Sequence, residues 1–228
     1  MANVELHTEE ARKPPARAET TTREVAAGGS FVEAIAGTGA VILAVLGLAG
    51  VLPVTFASIA MIALGGALLL EGGSIGARLY VAMSREGQEV PSDLMGGLGA
   101  ESLAGIAALA LGVLALIGVD TMVMLTAAAI VLGAGLLFGS AATWRVNYPR
   151  ISGYARSDTA GYVAREAVHA ASGAHALVGI GAIILGVLAA LGNSPLTLTL
   201  VAVLAIGGAI VLSGAAIGGR FLVGFRRG

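Results

Sequence analysis

The chain of 228 residues is expected to be an all-α integral membrane protein. The predicted architecture is a six-helix bundle of three tandem transmembrane helical hairpins, pseudo-threefold about the membrane normal. Three observations predict it. The composition is 57% hydrophobic and 12% charged, about half the charge of an ordinary soluble domain. An apolar unit repeats without a gap at 33–78, 101–146 and 175–220. Lysine and arginine avoid the turns inside those units altogether.

The repeat register follows from identities. Gly37, Gly105 and Gly179 coincide, as do Leu43/Leu111/Leu185, Val45/Val113/Val187, Leu46/Leu114/Leu188, Gly50/Gly118/Gly192, Ala60/Ala128/Ala202 and Gly65/Gly133/Gly207. A fixed period of this kind marks a repeat architecture. Each unit holds two apolar runs, 34–52 with 54–77, 102–119 with 121–144, and 176–192 with 195–219. Each is near the roughly 20 residues that a helix needs to cross the hydrocarbon core. The alternation of a membrane strand is absent, so a barrel is excluded in favour of helices.

Within each unit the two runs are joined by Gly-Val-Leu-Pro (50–53), Gly-Val-Asp-Thr (118–121) and Gly-Asn-Ser-Pro (192–195). Glycine ends a helix in a left-handed conformation, and Pro53 and Pro195 suit the first turn of the returning helix. Joints this short make the two spans antiparallel neighbours. The glycine content, 35 residues, suits helix packing in lipid, where small residues let backbones approach. Gly65, Gly133 and Gly207 are expected at such crossings, and Gly72/Gly76, Gly135/Gly139 and Gly214/Gly218 have small-xxx-small spacing.

All thirteen basic residues lie outside the hairpin turns, from Arg12, Lys13, Arg17 and Arg23 before the first span to Arg220, Arg226 and Arg227 after the last. Asp120 is the sole charge at the turn end. The positive-inside rule then places both termini and both linkers in the cytoplasm. Residues 1–30, polar and carrying Pro14-Pro15, read as a disordered cytoplasmic tail, leaving 31–228 as the transmembrane domain. The linkers are 79–100 and 147–174; in the second, 158–171 can be drawn as a short amphipathic helix. Three copies with an even number of spans enter from one side, which argues against inverted-repeat transport.

Chemistry-bearing residues are few. No nucleophile triad, phosphate loop or metal cluster is present, the glycines form no nucleotide fingerprint, and cysteine is absent. The chain is therefore expected not to be an enzyme, to need no cofactor or metal, and not to bind nucleic acid. Glu33, Glu101 and His175 occupy one repeat-equivalent position at the cytoplasmic entry of spans one, three and five. Two readings stand: a titratable ring about the pseudo-axis, or ordinary helix-start residues, which acidic side chains favour by about 0.3–1 kcal/mol. Glu71 lies inside the second span, where Gly139 and Ser213 stand in the other copies. At 1.5 Å per residue it is about 27 Å beyond Pro53. It is either an intramembrane functional acid or a side chain that snorkels to an arginine. His169 and His175 lack the further ligands that a metal would need.

The pattern of Gly, about twelve apolar residues, a Gly-x-x-Pro turn and a mid-helix glycine resembles the short-repeat membrane proteins typified by HdeD, over residues 33–220. The second copy departs from it with Thr121 at the proline position. The resemblance implies a six-span bacterial inner-membrane protein associated with protection against acid or envelope stress, and it carries no catalytic residues to transfer. The mitochondrial carriers also have three two-span repeats, but the acidic and basic motif of their odd spans is missing. The leading functional expectation is a non-enzymatic protein of structural or stress-protective type, in contact with membrane lipids and forming a homo-oligomer or part of a larger membrane complex. The alternatives are a channel or transporter for protons or a small solute, and a lipid- or pigment-binding subunit of a larger assembly.

Overall fold

A computed structural model describes the backbone of residues 16–85, 92–151 and 159–225, and the side-chain surroundings of 32–73, 96, 99–141 and 173–213. Six helices follow one another: α1 Ala16–Leu48, α2 Pro53–Arg85, α3 Ser92–Leu116, α4 Thr121–Ile151, α5 Thr159–Ala190 and α6 Pro195–Phe225. Among the described residues, five helices contain stretches long and apolar enough to cross a membrane, and the described apolar part of α1 is Val32–Leu48. The protein is thus an all-helical, multi-pass membrane protein.

Hydropathy marks spans, not helix ends, and here the two differ. Residues 16–30, expected in a disordered tail, belong to α1, which starts directly after Pro15 where a proline is well placed to begin a helix. The linkers shrink in the same way, because α2 runs on to Arg85 and α4 to Ile151. The segment 158–171, expected as a separate amphipathic helix, is from Thr159 the opening of α5. Outside the hydrocarbon a helix needs only good formers and no breaker to continue, and flanks such as 77–85, which hold neither glycine nor proline, supply that. Residues 1–15, 86–91, 152–158 and 226–228 lie outside the described set.

The three hairpin turns share one backbone geometry. Gly50, Gly118 and Gly192 have φ of 88°, 89° and 89°. Beside them, Val51, Val119 and Asn193 donate to the carbonyls of Leu46, Leu114 and Leu188 at 3.0, 3.0 and 3.2 Å. This Schellman closure absorbs carbonyls that a helix end would otherwise leave open, a strict need near hydrocarbon. Where the second copy lacks proline, Thr121 still begins α4, and its hydroxyl donates to the Ala115 carbonyl at 3.2 Å.

The even helices α2, α4 and α6 touch one another around a common centre, and each odd helix lies in the outer groove between two of them. Helix α1 packs on α2 and α6, α3 on α2 and α4, and α5 on α4 and α6. The same contact joins successive hairpins. A methyl group placed on Gly65 would lie 2.7 Å from the Gly105 carbonyl oxygen; one on Gly133, 2.7 Å from that of Gly179; one on Gly207, 3.0 Å from that of Gly37. Three crossings therefore run from the first hairpin to the second, the second to the third and the third to the first.

Along the centre, buried residues recur at equal register in α2, α4 and α6: Ala57/Leu125/Thr199, Met61/Ala129/Val203, Leu64/Leu132/Ile206 and Leu68/Leu136/Ile210. Steps of four, three and four keep one stripe per helix on the partner side, as in a coiled coil. Thr199 is the one polar member, and its hydroxyl oxygen is buried with no hydrogen-bond partner.

Candidate functional site

One step of three beyond Leu68, Leu136 and Ile210, the central stripe changes character. The next register position holds Glu71, Gly139 and Ser213, all buried. Glu71 thus lies on the inward face of α2, not on a lipid-facing face from which it would snorkel. Beside it, Ser140 donates to the Leu137 carbonyl at 2.8 Å and Ser213 to that of Ile210 at 3.4 Å, so both hydroxyls bond within their own helices.

Glu33, Glu101 and His175 come from the outer helices and point inward; all three are buried. The seat of Glu101 is the clearest. A methyl group on Gly139 would meet its Cδ and Oε2 at 2.6 Å, so the carboxyl group fills the space that this glycine leaves on α4. One turn earlier, Gly135 admits Ala104 of α3 and the Leu68 side chain of α2. Two glycines four residues apart thereby let α3 lie close against α4. Of the other two small-xxx-small pairs, Gly76, Gly214 and Gly218 lie outside the residues whose surroundings are described.

Glu71 occupies the register position of Gly139, on which the Glu101 carboxyl group is seated, and Glu33 is buried at the register position of Glu101. His175 is engaged differently: its Nε2 lies 3.3 Å from the Ala209 carbonyl oxygen of α6. Facing an acceptor, that nitrogen carries the hydrogen. Among the described residues, no three His, Asp or Glu side chains are grouped to hold a metal ion. The side chain of His169 lies outside those described.

Sequence reasoning set Glu71 apart from Glu33 and Glu101 because it belongs to a different repeat column. The missing link was Gly139. It shares the column of Glu71, and its lack of a side chain lets Glu101 reach the inward face of α4. An acid in one copy opposite glycine in the next was the available signal.

Chemically, the arrangement offers buried ionisable groups at one end of the bundle and apolar packing between them and the turns. Comparison with known proteins adds no identity. No family model, curated protein or solved structure matches this chain.

Proposed function

We propose that this chain is a non-enzymatic membrane protein of structural or stress-protective type, lodged in a bacterial inner membrane with both termini cytoplasmic. The observation that supports this over a pore is the central stripe. Three helices meet along it through Met61, Leu64, Leu68, Leu125, Leu132, Leu136, Val203, Ile206 and Ile210, all fully buried. A conduction path needs polar groups or water along its depth, and these side chains occupy the place where such a path would run. The HdeD-like pattern of the repeats agrees with a protective role under acid or envelope stress. Lipid is the surrounding partner, and a homo-oligomer or a larger membrane complex is the assembly in which the bundle would act.

A second reading, a channel or transporter for protons or a small solute, draws support from the buried acids Glu33, Glu71 and Glu101. Intramembrane ionisable residues are costly and commonly mark ion paths. Proton and ion flux into liposomes separates the readings. The parent protein is expected to be as tight as empty vesicles. Flux in the parent that a Glu33→Gln, Glu71→Gln, Glu101→Gln, His175→Gln variant loses, with helicity retained, would replace the structural reading with the transport one. The protective role is tested in a bacterial host, where expression of the parent should raise survival of an acid challenge.

A further inference from the structure

The three hairpin turns share a backbone but not a chemistry, and the difference assigns a surface. Residues 51–53 are Val-Leu-Pro, whereas the equivalent positions are Val119-Asp120-Thr121 and Asn193-Ser194-Pro195. Leu52 is 63% and Val51 46% exposed. No charged residue occurs in 34–70 or in 176–219, while Asp120 is the sole charge in 102–144.

Each turn joins the ends of two apolar helical stretches, as 49–52 joins Val32–Leu48 to Pro53–Gly73, so it lies at the hydrocarbon boundary, where its side chains decide whether it enters. Asp120, Asn193 and Ser194 favour water. Val51 and Leu52 continue the lipid-facing apolar surface of Val45, Leu46 and Leu48. The backbone permits entry too, because the N–H groups of Ala49, Gly50 and Val51 all donate within the chain, at 2.9, 3.0 and 3.0 Å.

We propose that the Val51–Leu52 turn is a lipid-inserted surface, sunk among the acyl chains of one leaflet, while the turns at Asp120 and Asn193–Ser194 stay at the water boundary. The occupant of this surface is hydrocarbon, and the bundle is anchored more deeply on one side than on the others.

The test uses the full chain, which has no native cysteine. Single cysteines at the equivalent positions Ala49, Ile117 and Leu191 carry one small fluorophore in phosphatidylcholine vesicles, with nitroxide lipids and aqueous iodide as quenchers. The probe at 49 should lose most of its emission to the lipid nitroxide and little to iodide, and the other two should respond more to iodide. Val51→Asn with Leu52→Ser, which gives the first turn the chemistry of the third, should shift the probe at 49 to the iodide pattern. Equal quenching patterns at all three sites would overturn the proposal. A probe at 49 shielded from both quenchers would also overturn it, because protein would then cover the turn. Circular dichroism of each labelled protein shows that the comparison is between folded chains.

Discussion

Gly65 and Gly66 are neighbours in sequence on α2, yet the structure gives them opposite roles, and replacing each with alanine tests the packing argument within one helical turn. A methyl group on Gly65 would lie 2.6 Å from the Leu109 nitrogen and 2.7 Å from the Gly105 carbonyl oxygen. Ordinary contact begins near 3.5 Å, so α2 and α3 must separate by about 0.8 Å, which forfeits a quarter to a half of the attraction of each pair along the seam. Both obstructing atoms are backbone, so no side-chain rotation relieves the clash. The expected cost is about 1–3 kcal/mol, the range of overpacked cores. A methyl on Gly66 meets nothing within 4 Å, and alanine should there gain up to about 1 kcal/mol of helix propensity. At Gly207 the equivalent contacts are looser, 3.0 Å to the Gly37 oxygen and 3.1 Å to Val41 Cγ2, a side-chain atom that can move. Gly207→Ala should therefore cost less than Gly65→Ala. Reversible unfolding in mixed micelles with increasing dodecyl sulfate measures all three. Equal stabilities for Gly65→Ala and Gly66→Ala would refute the claim that close backbone approach holds the hairpins together.

Three further outcomes follow from the same geometry. Gly139→Ala should displace the Glu101 carboxyl group, which would meet the new methyl at 2.6 Å, and lower stability; in a double-mutant cycle Glu101→Ala should recover part of the loss, with a coupling of about 0.5–3 kcal/mol. Alanine at Gly50, Gly118 or Gly192 has open space around it but inherits φ of 88°, 89° or 89°, so unfolding measurements should give all three nearly the same cost, about 1–2 kcal/mol. Thr199→Val keeps the shape and removes a buried hydroxyl without a partner, and the melting temperature should rise by the equivalent of about 1–3 kcal/mol.

The spans and turns could be read from the sequence because lipid imposes simple demands: uninterrupted apolar runs, and a glycine wherever a short turn reverses the helix. Gly50, Gly118 and Gly192 announced themselves in that way. The helical flanks could not, since nothing in hydropathy separates a helix such as Ala16–Phe31 from a polar tail. For the site, the common register of Glu33, Glu101 and His175 was legible, but the choice between a ring and ordinary helix-start residues was not. The company they keep was not. That Glu101 reaches the seat at Gly139, and that His175 instead bonds the α6 backbone, depends on how far each side chain extends across a helix interface. A repeat alignment compares equivalent positions and is silent about neighbours from different columns.

The seam between α1 and α6 joins the two ends of the chain, and this sets a problem of assembly order. Hairpins entering a membrane during synthesis arrive first to last, so the Gly37 face of α1 has no α6 to meet until the whole chain has been made. For the apolar stripe the wait is nearly free of cost, because acyl chains resemble leucine closely enough to stand in for it. The acids have no such substitute. Glu71 is inserted with the first hairpin, whereas α3 and α4, which bring Glu101 and its seat at Gly139, come only with the second. The newborn first hairpin therefore carries an inward-facing carboxyl group into the membrane before Glu101 and its seat at Gly139 exist, and its early stability rests on the tight Gly50 turn and on rapid arrival of the second pair of helices.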